Sequence, residues 1–169
     1  MRRVVAVLLG VLVATMAQAT PRPGQSVPPF TVDDLEGRAH TERDFTGVWS
    51  VAIVITDKDC GPAVHAWFDH GFRALPPSVQ VVSMAALDMF PLIPTATIVG
   101  RARDDAPRHR WRTIWVSRDG SLAQSLGLEE SDDPWVFVID PGGRVVEVIH
   151  SAVDAHRISQ MRRALGLAP

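Results

Sequence analysis

The chain contains one side chain that could act as a strong nucleophile, the thiol of Cys60. It is the only cysteine among 169 residues, so it can form neither a disulfide within the chain nor a cysteine-rich zinc site. Such a thiol either reacts as a thiolate with a disulfide or sulfenic acid of another molecule, or it is buried and inert. Gly61 and Pro62 follow, and proline is favoured in the first turn of a helix. The spacing predicts that Cys60 lies at a helix N-terminus, which would stabilise a thiolate.

The charged neighbours of Cys60 act on its thiol in opposite directions. Asp57 and Asp59 disfavour the thiolate, whereas Lys58 favours it, and the residues alone leave the net sign open. His65 and His70 follow on the same predicted helix. One sulfur with two helix histidines makes a poor copper site, so we expect no metal and no cofactor.

The elements that would position Cys60 alternate as in an α/β domain. The run Trp49–Ile55 is nearly continuous and rich in β-branched residues, which predicts a strand covered on both faces. Apolar residues at helical spacing then predict a helix from Pro62 to Leu75, and 79–86 predicts a second buried strand. Together they form a right-handed βαβ crossover, with Cys60 at the junction of strand and helix.

Shorter elements are predicted on either side of this unit from periodicity, turn residues and capping residues. They are an edge strand around Phe30, Val32 and Leu35, a helix at 95–103, a strand at 112–117, a helix at 122–126, a hairpin of strands at 135–139 and 144–150, and a C-terminal helix capped by Asp154.

The composition excludes several classes of function. An apolar fraction of 46% and a charged fraction of 21% are those of a globular protein, and the length suits one domain with a sizeable core. A formal net charge of -2 gives no general attraction to nucleic acid or anionic lipid. We interpret the arginine-rich segment 101–112 as a solvated loop rather than an anion site. We therefore expect no nucleic-acid partner, and the oligomeric state stays open.

The first residues have the pattern of a secretory signal peptide. Arginines precede the apolar run Val4–Ala14, and the small residues Ala17 and Ala19 stand where a signal peptidase reads. The run is shorter than the roughly 20 residues that span a bilayer as a helix. We expect a signal peptide over 1–19 and one domain over 20–169, located in the periplasm or outside the cell, with no stable membrane insertion after cleavage.

Three segments share a pattern with one superfamily. They are Pro23–Val32 with Gly37, Cys60-Gly61-Pro62-Ala63, and the stretch from Asp119-Gly120 through Pro134 to Val146. Together they resemble the thioredoxin-like superfamily, and within it the bacterial envelope proteins of the peroxiredoxin and cytochrome-maturation types. The resemblance implies an α/β thioredoxin-like fold, with a central mixed β-sheet flanked by helices on both faces.

The resemblance also implies a site. Cys60 matches the first cysteine of the family's Cys-Gly-Pro-Cys motif, while Ala63 stands where the resolving cysteine would be. Pro134 matches the family's cis-proline, which faces the active cysteine, so a cis bond between Asp133 and Pro134 is expected. By the same resemblance Cys60 and Pro134 would be the catalytic residues, and the groove for the substrate would be lined by Gly61, Pro62, Asp133 and Trp135.

Three functions fit these residues. The favoured one is thiol-disulfide exchange through Cys60 alone, with release by an outside thiol from a protein or a small molecule. The alternative is a binding or assembly module without turnover, which uses the same groove or the basic segment. The third is a thiol peroxidase, but Thr56 stands four residues before Cys60, one more than in the peroxiredoxin pattern, whose proline is also missing. An accessible sulfur favours exchange, and a sealed one favours binding.

Overall fold

The computed structural model describes residues 19–88, 95–117 and 119–168. The expected signal peptide lies outside these ranges except for Ala19, and so do Pro91 and Pro94, where we expected regular structure to break. Among the described residues, no helix has both the length and the apolar character needed to cross a membrane.

One mixed sheet contains all the named strands. They are β1 (Thr31–Asp34), β2 (Ala39–Thr41), β3 (Ser50–Ile55), β4 (Gln80–Ala86), β5 (Ile114–Ser117), β6 (Trp135–Ile139) and β7 (Val145–His150). Their spatial order is β2-β1-β5-β4-β3-β6-β7. The inner strands β3, β4 and β5 run parallel, and the remaining pairs are antiparallel. The expected crossover and the C-terminal hairpin are both present.

The described residues contain four α-helices. They are α1 (Gly61–Ala66), which continues as a π-helical segment over Trp67–Phe72, α2 (Thr95–Asp105), α3 (Ser121–Ser125) and α4 (Ala155–Ala164). The side chain of Asp154 caps α4 by accepting from the N–H of Arg157 at 2.7 Å. The strand expected from residue 112 begins at Ile114, because Arg108–Thr113 forms a 3-10 helix instead. The short strand β2 was not predicted, since three residues carry too little alternation to be read.

Apolar side chains cover the sheet on both faces. Successive residues of a strand point to opposite faces, so Val51 and Ile53 pack in the core under α1 and α4. Ala52 and Val54 pack in the other core, which holds Leu122 of α3 and residues of the N-terminal segment. The expected fold class, a central mixed sheet with helices on both faces, is confirmed.

The N-terminal segment is fastened to the C-terminal hairpin. The N–H of Gly24 donates to Val145 O at 2.7 Å, and the N–H of Val27 donates to Gly143 O at 3.0 Å. The guanidinium of Arg144 adds a bond to Gly24 O at 3.1 Å, across 120 residues of sequence. These bonds fix the start of the described chain along the beginning of β7.

Candidate functional site

The junction between β3 and α1 is built as a short turn that ends on the cysteine. Thr56 follows the strand, and the carboxylate of Asp57 accepts from the N–H of Asp59 at 2.6 Å. This bond starts a 3-10 turn over Lys58–Cys60, after which α1 begins at Gly61. Cys60 therefore lies at the start of the helix, as the spacing predicts.

The sulfur of Cys60 is sealed. Its side chain is 0% exposed, and the thiol donates to the carbonyl of Ser131 with Sγ and O 3.1 Å apart. The N–H of Ser131 in turn donates to Thr56 Oγ1 at 3.0 Å. Two bonds to the same residue thus hold the loop before β6 over the sulfur. A reagent can reach the thiol only if the residues around it move, and the loop at Ser131 is bonded directly to it.

The environment of Cys60 opposes ionisation. Burial raises the pKa of the thiol, and the charges of Asp57 and Asp132 raise it further. Backbone hydrogen bonds from Asp57 and Thr56 lower the pKa but do not outweigh burial. The ammonium of Lys58 pairs with Asp59 at 2.7 Å. The sign that the residues alone left open is therefore unfavourable to a thiolate.

The bond between Asp133 and Pro134 is trans, because no peptide bond among the described residues is cis. The cis geometry expected from the resemblance is wrong for this chain. Trans is favoured at ordinary X–Pro bonds by about 0.5–1 kcal/mol, and here the residues before the proline form a local turn. In that turn the N–H of Asp133 donates to Ser131 Oγ at 3.1 Å.

A stacked pair of rings contacts the loop before β6, called the capping loop below. Trp135 of β6 is the register partner of His150 of β7, and their rings stack with centroids 3.7 Å apart and planes 5° from parallel. His150 Nε2 lies 2.9 Å from Ser131 Oγ. The indole nitrogen of Trp135 is the one buried side-chain N or O atom of the described residues without a hydrogen-bond partner. Trp135 thus positions His150, and His150 contacts the residue that seals Cys60.

The residues expected at the site come from two segments that meet at Ser131. The first segment holds Cys60 and the second leads through Ser131 into β6. Their exposure differs, because Pro62 and Asp133 are exposed, Gly61 and Trp135 are half-buried, and Pro134 is buried.

Sequence reasoning missed Thr56, Ser131 and His150. The signal for His150 was present in the predicted hairpin, because the two strand ends must be partners. Thr56 and Ser131 act through one backbone bond between distant loops, which leaves no periodic pattern.

A cavity lies beyond the carboxyl ends of β3 and β4, next to Thr56. Its volume is ≈ 320 Å³. Its lining includes Thr56, Asp88, Gln124 and Glu130 but not Cys60. Asp88 and Glu130 make it acidic, and no group of three or more His, Cys, Asp or Glu side chains among the described residues could hold a metal ion.

The arginine-rich segment is largely exposed, as expected, but it is helical rather than a loop. It comprises the end of α2 and the 3-10 helix before β5. Arg103 Nε donates to Leu35 O at 2.7 Å, and Arg112 Nε pairs with Glu36 at 2.9 Å. These arginines attach the segment to the turn after β1.

Comparison with known proteins identifies the architecture. No protein-family model matches the chain, and no curated protein matches it significantly. Solved structures do match. BsSco, a member of the Sco family of cytochrome c oxidase assembly proteins with a disulfide switch, superposes with a TM-score of 0.60 at 16% identity, over 87% of this chain and 98% of that one.

Two further matches carry other activities in their names. A thiol peroxidase from Chromobacterium violaceum has a TM-score of 0.61 at 14% identity, over 87% of each chain. The exposed lipoprotein thioredoxin Etrx1 of Streptococcus pneumoniae has a TM-score of 0.59 at 13% identity, over 82% of this chain and 99% of that one. At such identities the matches establish the fold and leave the activity open.

Proposed function

Because the chain has a thioredoxin-like fold whose single thiol is sealed, we propose that it is an exported binding or assembly module that works without thiol turnover. The observation that carries this proposal is the closed state of Cys60, with its sulfur 0% exposed and bonded to Ser131 O at 3.1 Å. Exchange chemistry needs a thiolate in contact with the substrate. The sulfur of this chain meets neither condition.

The missing resolving thiol supports the same reading. A mixed disulfide on Cys60 would have no second cysteine in the chain to release it, since residue 63 is alanine. Nor do the charges around the site compensate, because the burial and neighbouring carboxylates of Cys60 raise its pKa. In this proposal Cys60 is a small apolar residue of the core with a weak donor, the role that buried free cysteines usually have.

The surface that such a module would offer is the acidic cavity beyond β3 and β4. Ligands of open α/β sheets bind outside the carboxyl ends of the parallel strands, where Thr56 and Asp88 are found in this chain. Glu130 lines the cavity, and the exposed Asp132 and Asp133 follow it in the capping loop. Charge complementarity favours a partner that presents lysine or arginine there.

The first test measures the reactivity of the thiol. We expect alkylation of the mature protein by iodoacetamide to be at least about 100-fold slower in the native state than in denaturant, since the loop must open first. Denatured protein serves as the reference for an unhindered thiol. Fast alkylation of the native protein, with a pH dependence that gives a thiol pKa below the ordinary value of about 8.5, would overturn the proposal.

The second test asks whether the thiol is needed in the cell. We expect Cys60→Ser and Cys60→Ala to complement a deletion strain as well as the natural chain does. The matched variants Asp88→Asn and Glu130→Gln, which alter the acidic cavity but keep its shape, should fail. Loss of complementation by Cys60→Ser, with normal protein levels, would return the function to thiol chemistry.

Thiol-disulfide exchange through Cys60 alone is the second candidate. It is favoured by the position of the sulfur at the start of α1, where it is bonded to a loop whose next residues, Asp132 and Asp133, are exposed. Opening this loop would free the sulfur from Ser131 O, its hydrogen-bond partner in the closed state. This candidate predicts a trapped mixed disulfide with an outside thiol such as glutathione under native conditions.

A further inference from the structure

A second pocket lies away from Cys60, at the far end of the first helix. Its volume is ≈ 290 Å³, and it is lined by Phe68, Phe72, Arg73, Val81, Arg110 and Thr113. Phe68 follows Cys60 by eight residues, so about 12 Å of helix separates them. The pocket is independent of the function proposed above.

The apolar part of this pocket is rigid. The rings of Phe68 and Phe72 meet edge to face, with centroids 5.1 Å apart and planes at 85°. Phe72 also stacks on the fully buried Trp67 at 5.4 Å. An apolar group entering the pocket would meet a preformed aromatic surface, and little side-chain entropy would be lost.

The polar part is a half-buried arginine without a counter-ion. The guanidinium carbon of Arg110 lies 3.8 Å from the ring centroid of Phe68. Arg110 forms no ion pair among the described residues, whose ion pairs involve other side chains. The remainder of the chain contains no Asp or Glu that could supply one. Burial lowers the pKa of Arg110, as expected when a cation loses water without gaining an anion.

The donors of Arg110 are open to the pocket. The guanidinium of Arg110 makes no side-chain hydrogen bond to any described residue. Its nitrogens are not fully buried either, because the one fully buried, unpaired side-chain nitrogen or oxygen atom among the described residues belongs to Trp135. The backbone of Arg110 is fixed, because its carbonyl accepts from Thr113 Oγ1 at 2.9 Å and its N–H donates to Pro107 O at 2.9 Å. Arg73, which is exposed and also lines the pocket, adds a second cation.

From this combination we propose that the pocket binds a small apolar monocarboxylate, with its carboxylate on Arg110 and its apolar body on Phe68 and Phe72. A planar guanidinium presents two parallel donors that match a carboxylate. A volume of ≈ 290 Å³ equals about ten water molecules, which suits an acid with one ring or a short alkyl chain. A phosphate dianion would lose more hydration against the two aromatic rings than such an acid does.

The test is a titration of the uniformly ¹⁵N-labelled mature protein with 3-phenylpropionate. We expect saturable shifts in amide signals of Phe72, Val81 and Thr113. We expect none with 3-phenylpropanamide, which has the same shape and no charge. Arg110→Gln should weaken binding by at least about tenfold. The affinity of Arg110→Lys should lie between those of Arg110→Gln and the natural chain, because lysine keeps the charge but lacks the two parallel donors of the guanidinium. Arg163→Gln, which removes an exposed arginine on α4, should bind as the natural chain does.

Several results would overturn the proposal. These are unsaturated shifts up to the solubility limit, equal shifts with the amide, or unchanged binding by Arg110→Gln. Equal displacement by sodium phosphate would replace it with a general anion site. The amide spectrum of each variant without ligand reports whether it is folded, and Arg73→Gln gives a second variant that leaves the core untouched.

Discussion

The two ends of the first helix bury polar groups in opposite ways. At its start, the thiol of Cys60 is fully buried and has a partner in Ser131 O, and the surrounding charges are mostly carboxylates. At its far end, Arg110 is half-buried over Phe68 and has no counter-ion among the described residues. A buried group with a partner stabilises the closed structure, whereas one without a partner favours a ligand that supplies it. The contrast indicates that the cysteine end of the helix is closed, whereas its far end presents a cation without a counter-ion among the described residues.

The largest effect is expected from breaking the seal at Thr56. Thr56→Val removes the acceptor of the Ser131 N–H and leaves that half-buried donor unpaired, which costs up to about 1–3 kcal/mol of the free energy of unfolding. The loosened loop should also raise the native alkylation rate of Cys60 by about tenfold or more. Urea unfolding and iodoacetamide kinetics measure the two effects.

Two variants control for the change at Thr56. Thr56→Ser keeps the hydroxyl and should behave nearly as the natural chain does. Thr31→Val makes the same substitution at an exposed strand position and should change neither quantity. If Thr56→Val left alkylation unchanged, the loop would not be what protects the sulfur.

Alkaline pH should weaken the sealed end next. The folded state holds the pKa of Cys60 above its ordinary value. At pH values between the ordinary pKa and the raised one, the unfolded chain therefore loses the thiol proton more readily than the folded chain does. The contribution of Cys60 to the free energy of unfolding should therefore be constant below about pH 8 and fall above it, by at most about 1.4 kcal/mol per pH unit. The chain has no tyrosine and one lysine, so few other groups titrate there. Cys60→Ala should lack this decline, and an identical decline in that variant would assign it to another group.

A smaller effect is expected at the stacked pair under the loop. His150→Ala removes the ring that stacks on Trp135 at 3.7 Å and the contact with Ser131 Oγ. Such aromatic pairs contribute about 0.5–1.5 kcal/mol, and alkylation should speed up less than in Thr56→Val. His156→Ala, at an exposed site of α4, is the control. A larger effect than that of Thr56→Val would make the stack the main support of the loop.

The smallest effect, and the one with opposite sign, is expected at the far end. Arg110→Met keeps a long apolar side chain on Phe68 and removes a partly desolvated cation. The free energy of unfolding should be unchanged or rise by up to about 1 kcal/mol. A loss of more than this in thermal or urea unfolding would show that the cation-π contact is structural, and the contrast between the two helix ends would fail.

Much of the fold could be predicted from local patterns. The β-branched run before Cys60 predicted β3, and the alternation after Pro134 predicted the hairpin of β6 and β7. These elements are buried on one or both faces, and the periodicity of apolar residues within each segment indicates that burial. β2 and the 3-10 helix before Ile114 escaped, because short elements depend on contacts with distant residues.

The site was less predictable than the fold. The sequence indicates that Cys60 begins a helix, but its closure depends on Ser131, which lies 71 residues away. The cis bond at Pro134 was inferred from resemblance, whereas the bond is trans and follows a local turn at Ser131 and Asp133. Bonds of this kind join loops that no periodicity relates, so a single sequence does not reveal them.

The fastening of residues 24–27 to the start of β7 has a consequence for how the chain is made. The part of the domain that leaves a ribosome or a translocation channel first has its hydrogen-bonding partners near residue 145. Those partners follow about 120 residues later, so this segment cannot form its native hydrogen bonds until residues 143–145 have also emerged. Completion of the domain is thereby delayed to the end of its delivery.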